Sequence, residues 1–135
     1  MKLAIFPLLF VLMTTTVLAG PATDVKQVAL DQEFDIKAGE RVSVEGLKLS
    51  FEAVTEDSRC PVDVTCVWAG NAKVILKLSG LKRRPAQLKL NTGLEPRHLL
   101  YDGYDVKLIG ISPPRKKAER IKRGDYVARL VVTRK

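Results

Sequence analysis

Past its N-terminal segment the chain places apolar residues at every second position and has almost no helical period, which predicts strands. The clearest run begins at Leu47. Leu47, Leu49, Phe51 and Ala53 fall on one face and Lys48, Ser50 and Glu52 on the other, as a half-buried strand requires. Before it, Glu33 to Lys37 and Arg41 to Glu45 form two shorter strands around an Ala38-Gly39 turn, and Gly46 ends the second. After it, Cys66 to Ser79 reads as one long strand, bulged or kinked at Gly70-Asn71, with Val74, Leu76 and Leu78 opposite Lys73 and Lys77. Leu88 and Leu90 mark a further strand, closed by Asn91-Thr92-Gly93. Arg97 to Tyr101 leads into a tight turn at Asp102-Gly103, and Tyr104 to Ser112 continues until Pro113-Pro114 withdraws two backbone donors. Asp125 to Thr133 is the last strand, with Tyr126, Ala128, Leu130 and Val132 on one side. The expected fold is all-β: an antiparallel β-sandwich of immunoglobulin-like size with seven to eight strands, a partly open barrel being the alternative. A helix within residues 115–123, which are rich in helix formers, is the weakest competing element.

The N-terminus follows another pattern. Lys2, an apolar run from Leu3 to Leu12, a Thr-rich break and Val17-Leu18-Ala19 have the layout of a secretory signal peptide. The run falls short of the roughly 20 residues that span a bilayer. The expected organisation is a signal peptide over 1–19, with cleavage after Ala19, and a single domain over 20–135. No cysteine stands at the junction to take a lipid, so the mature chain is expected to be periplasmic or secreted, with no transmembrane segment.

Export gives the two cysteines their meaning. Cys60 and Cys66, six positions apart, are expected to pair as a structural disulfide clipping a loop that Pro61 stiffens. A thiol-exchange site would place two residues between them, and here there are five. Zinc is disfavoured, because His98 is the only imidazole.

Asp57-Ser58-Arg59-Cys60-Pro61, followed by Val64, Cys66, Trp68 and Gly70, resembles a DSRCPxxVxCxWxG-type signature of small exported bacterial proteins and lipoproteins of uncharacterised function. The similarity extends to the strand before it, the Asn91 to Pro96 turn and a closing strand like Tyr126 to Thr133. It implies a fold and a compartment and carries no catalytic residue with it. The missing lipidated cysteine sets this chain apart from the lipoproteins.

Two roles compete for the loop's other residues. Trp68 reads first as a core residue packed on the disulfide, as in sandwich domains, and second as an exposed aromatic that anchors a partner. Asp57 and Arg59 form either a local ion pair that shapes the loop or a charged tip offered to a ligand.

Charge narrows the partners. The chain carries a net +8, with 23 Lys and Arg against 15 Asp and Glu, and only Lys2 of these lies in the signal segment. That balance favours anionic partners of the envelope, such as acidic polymers, anionic phospholipid or an acidic protein. Arg115, Lys116, Lys117, Arg120, Lys122 and Arg123, relieved only by Glu119, form the densest cluster: either a solvated loop or an electrostatic docking surface. Nothing supports sequence-specific nucleic-acid reading. If consecutive strands alternate in direction, the clipped loop, the Asn91 to Arg97 turn and the basic loop share one end, and Lys82 to Arg84 occupies the other.

The chemistry for catalysis is thin. His98 alone titrates near neutral pH, with Ser58 or Asp102 as its associates only if folding brings them close. The expectation is a non-enzymatic binding or interaction module without a cofactor, offering Asp57, Arg59, Trp68 and the basic loop to a protein or anionic envelope partner. The alternatives are a structural envelope component held by charge, and a small hydrolase using His98.

Overall fold

A computed structural model describes residues 25–135, together with Thr16 and Gly20. The signal peptide expected over 1–19 therefore lies, but for Thr16, outside the described residues. The strands are β1 (Lys26–Gln27), β2 (Glu33–Lys37), β3 (Arg41–Val44), β4 (Leu47–Asp57), β5 (Ala72–Ser79), β6 (Ala86–Asn91), β7 (His98–Tyr101), β8 (Tyr104–Ser112) and β9 (Val127–Arg134). A single 3-10 turn at Arg123–Asp125 is the only helical element among the described residues. β1, of two residues, is the strand the alternation does not reveal.

The strands form two sheets, ordered β1-β3-β4-β5-β6 and β2-β9-β8-β7. β3 to β6 make an antiparallel meander, while β2 crosses over to pair with β9 and β1 lies parallel to β3. The inward residues of both sheets form one apolar cluster, with Val42, Leu49, Phe51 and Leu76 contributed from one side and Ile36, Leu108, Leu130 and Val132 from the other. Side chains of this size contribute about 1.5–3 kcal/mol each when fully buried, so alternation along each strand fixes which face turns inward.

β4 departs from simple alternation, and the departure shapes the functional end. Its register against β5 shifts between Phe51 and Ala53 and again between Val54 and Glu56. After the first shift Val54, opposite Val74, packs on the core, whereas Ala53 is only half-buried. The second shift reverses the parity again, so Glu56 turns outward to Lys73 at 3.3 Å and Asp57 turns inward. The two shifts cancel, so Asp57 keeps the inward side that alternation from Phe51 gives it.

Two expectations are corrected here. The strand expected over Cys66 to Ser79 begins only at Ala72, where the β4 ladder ends with Asp57 opposite Ala72. Beyond that pair the backbone bonds between the stems are Ser58 N–H to Asn71 C=O and Cys60 N–H to Ala69 C=O, both 2.7 Å, joined by the Ser58 hydroxyl on Asn71 C=O and by the disulfide. Residues 115–122 are not helical, and Arg123 only opens the 3-10 turn. Lys116 and Arg120 would stack like charges one helical turn apart, and the Lys117 N–H is taken by the Asp63 carboxylate at 3.0 Å.

At the far end Tyr101 fastens the 80–85 turn. Its hydroxyl accepts from Gly80 N–H at 3.0 Å and donates to Arg84 C=O at 2.8 Å, which keeps Lys82, Arg83 and Arg84 at that end.

Candidate functional site

The loop between β4 and β5 is closed by the Cys60–Cys66 disulfide, with a Cα–Cα distance of 5.9 Å. Every residue from Val62 to Ala69 is exposed. Val67 is fully exposed, Val62 is 64% exposed and Trp68 55% exposed. The placement of Trp68 against the disulfide in the core is therefore corrected. In this chain the disulfide lies beyond the ends of the strands, where there is no space between sheets for an indole to fill.

The base of the loop is built on close backbone approach. Gly70 has φ +76°, and a Cβ there would collide with the Ser58 carbonyl, so no other residue fits without a shift. Gly93 packs on Gly70 in the same way. Between them, Asn71 donates its side-chain N–H to Asn91 Oδ1 at 2.9 Å and accepts from Gly93 N–H at 2.9 Å. Both amides are buried. Paired, they bind the 91–96 turn to the loop and leave no polar atom wasted.

A second anchor runs to the other sheet. Arg59 donates Nε and Nη2 to the two Asp57 oxygens at 2.8 Å each, Nη1 to Ile111 C=O at 3.1 Å and Nη2 to Pro113 C=O at 3.0 Å. Tyr126, just before β9, donates its hydroxyl to Asp57. Burial pushes the Asp57 pKa up, but hydrogen bonds from Arg59 and Tyr126 and the guanidinium charge outweigh it, and the pKa lies below the ordinary value. Burial and the adjacent carboxylate raise that of Tyr126. The Arg59 and Asp57 side chains are only 15% and 10% exposed and satisfied within the fold, as the loop-shaping role requires.

Arg115 completes the junction. Its carbonyl accepts from Val62 N–H and its Nη1 donates to Arg59 C=O, both at 2.9 Å. The basic loop is thus bound along the clipped loop. Lys116, Lys117, Arg120, Lys122 and Arg123 are exposed around a groove of about 560 Å³ lined by Thr55, Asp57, Arg115, Arg120 and Tyr126 among others. Among the described residues Lys116 alone of these cations has an ion-pair partner, Glu119 at 3.6 Å. The clipped loop, the 91–97 turn and the basic loop share one end, opposite Lys82 to Arg84.

The three groups weighed for catalysis each have a separate partner. Ser58 Oγ donates to Asn71 C=O at 2.9 Å, His98 Nδ1 pairs with Asp105 at 2.9 Å, and Asp102 Oδ2 accepts from Lys82 N–H at 3.3 Å. No group of three or more His, Cys, Asp or Glu among the described residues is arranged to hold a metal ion. Among the same residues no helix is long and apolar enough to cross a membrane.

Sequence reasoning did not pick out Tyr126, Asn71 or Arg115 as parts of this junction. Tyr126 was legible only as an inward position on the last strand, and its hydroxyl partner lies 69 residues away. Gly70-Asn71 and Asn91-Thr92-Gly93 gave a local turn signal without showing that the two turns meet.

No family model matches the chain, and no curated protein or solved structure matches it either. The resemblance carried by Asp57 to Gly70 rests on those residues.

Proposed function

We propose that this chain is a non-catalytic, exported binding module of a cell envelope, periplasmic or secreted, on a β-sandwich scaffold of immunoglobulin size. Its contact surface is the end formed by the clipped loop and the basic loop. The observation that carries this reading is the solvent exposure of Val62, Val67 and Trp68 on a loop stapled by a disulfide and hydrogen-bonded to a cationic loop. Monomeric folds bury such side chains, and a group of them rimmed by charge marks an interaction site. Asp57 and Arg59 support the surface from beneath; Trp68 and the exposed cations are the contacts. The disulfide suits an oxidising compartment.

The experiment is retention of an envelope extract on the immobilised oxidised protein across a salt series, compared with two variants. One carries Val67→Ser and Trp68→Ser; the other carries Ser at Lys116, Lys117, Arg120, Lys122 and Arg123. Material retained by the wild type and lost in both variants supports the composite end as the contact surface. Equal retention by all three proteins overturns it.

The second reading, a structural component held by charge alone, is favoured by the unpaired cations. It expects loss in salt and in the cation variant, with the Val67 and Trp68 variant unaffected.

A further inference from the structure

We propose that the partner of this end is an anionic phospholipid bilayer, which Val62, Val67 and Trp68 enter at the headgroup level while the basic loop meets the phosphates. The proposal rests on the binding-module reading and names the partner's chemistry.

The apolar half of the argument is the tip. Val62, Val67 and Trp68 lie past the Cys60 N–H to Ala69 C=O bond, beyond the strand ends, and are exposed to solvent, with the basic loop alongside through Val62 N–H to Arg115 C=O. Leu94, on the turn packed against Gly70, is exposed at the same end. An indole, apolar in body and polar at its N–H, partitions to the membrane–water interface. The staple holds the tip in place before contact, so little ordering is left to binding. Depth is limited to the interface, because loop amides without protein partners must keep their water.

The cationic half is what favours a bilayer over a folded protein. Lys117, Arg120, Lys122 and Arg123 are exposed without an ion-pair partner among the described residues, the first three on a segment with no regular backbone and Arg123 opening the 3-10 turn. Long side chains spread in this way suit a laterally adjustable layer of phosphates better than a fixed set of carboxylates. Asp63, the acid nearest the tip, is turned to the Lys117 N–H. The net charge of +8 adds long-range attraction.

The opposite end is an internal control. It too has an exposed leucine, Leu81, beside Lys82, Arg83 and Arg84, but no staple and no exposed aromatic, Tyr101 being buried beneath the turn. Attraction by charge alone would make the loss of binding follow the number of cations removed, five at this end and three at the other.

The test is co-sedimentation with phosphatidylcholine vesicles, with or without an equal part of phosphatidylglycerol, using oxidised protein recovered after expression of the full chain. All variants share one N-terminus, so that segment accounts for no difference between them. Because Trp68 is the only tryptophan, its emission reports the tip directly. The expected result is sedimentation with phosphatidylglycerol vesicles only, a blue-shifted emission and protection from an aqueous quencher. The Val67→Ser, Trp68→Ser variant should bind roughly tenfold more weakly or worse, the basic-loop Ser variant should also lose binding, and Ser at Lys82, Arg83 and Arg84 should change little.

Binding that leaves the Trp68 emission and quenching unchanged overturns insertion. Losses from the two cation variants that are equal per charge removed overturn the assignment to this end. Failure to bind vesicles, with variant-dependent retention of envelope extract intact, overturns the bilayer but leaves the binding module; failure of both overturns both. The substituted side chains are exposed, and unchanged thermal melting confirms that each variant is folded.

Discussion

Tyr126 and Arg59 converge on a single oxygen, Oδ2 of Asp57, at 2.9 and 2.8 Å. One comes from the approach to β9 and the other from the clipped loop, so the carboxylate ending β4 joins both sheets and the loop. The hydrogen bond from Tyr126 to a charged acceptor is of a kind that contributes about 1.5–3 kcal/mol. Tyr126→Phe should lower the urea midpoint by a corresponding amount without changing the slope of the transition. Adding Asp57→Asn should cost less than the sum of the two single changes, because both remove the same bond. Strict additivity in a double-mutant cycle would show that the bond contributes nothing.

The same carboxylate makes stability depend on pH. Its folded pKa lies below its unfolded value, because the Arg59 and Tyr126 interactions outweigh burial. A group depressed in this way stabilises the fold above its unfolded pKa of about 4, and that contribution disappears as pH falls through the folded value. Tyr126 behaves oppositely. Burial and Asp57 raise its pKa, so the stability it brings is complete below about pH 10 and is lost as pH rises through the raised folded value. Urea midpoints across this range should fall at both extremes, and Asp57→Asn should flatten the acid limb. An acid limb unchanged in Asp57→Asn would assign the effect to another carboxylate.

The contrast between these residues and the strands shows what the chain made legible. Leu47, Leu49 and Phe51 announced their strand because burial on one face imposes a period of two, and β2 and β8 were legible from end to end for the same reason. The sharing of one end by the clipped and basic loops followed from alternating strand directions. Trp68 was misplaced because the analogy with sandwich domains assumed that a disulfide lies between sheets, and this one lies past the strand ends. The strand expected over 66–71 is absent because the chain breaks at Gly70-Asn71, read as a kink within a strand, and the loop ends there. The two bulges in β4 cancel, so Asp57 points inward as the alternation from Phe51 extended to it would have it; what the pattern could not show is its partners, Arg59 and Tyr126. Contacts across large sequence separations, such as Asn71 with Asn91, are set by the packing of whole sheets.

Gly70 offers a sharper test of the loop's base. With φ +76° and the Ser58 carbonyl in the way of a Cβ, Gly70→Ala must both adopt a left-handed backbone and push apart the stems of the loop. The cost should exceed about 1 kcal/mol, which a thermal melt reads as a fall of several degrees. Gly124→Ala, where a Cβ meets open space, is the control and should be nearly neutral. Equal melting temperatures for the two variants would refute the tight junction.

Replacing both cysteines, Cys60→Ser with Cys66→Ser, should cost roughly 2 kcal/mol by the loop-closure estimate for so short a ring. The strands should survive, because the buried cluster draws no residue from between Cys60 and Cys66. Far-UV circular dichroism is therefore expected to match the wild type while the denaturation midpoint falls. A collapse of the β signal would make the disulfide a requirement for folding.

Trp68 separates a structural role from a contact role with one measurement. A tryptophan packed on a disulfide inside a sandwich is shielded from acrylamide and contributes core stability; one that is 55% exposed is neither shielded nor a core residue. Native protein should therefore show solvent-like emission and be quenched nearly as efficiently as denatured protein. Trp68→Ser should shift stability by no more than about 0.5 kcal/mol, the usual range for an exposed position away from any cap or buried network, against the 3–5 kcal/mol that loss of a large core side chain costs. Strong shielding in the free protein, joined to a multi-kcal/mol loss on substitution, would return Trp68 to the core and remove the apolar half of the contact surface.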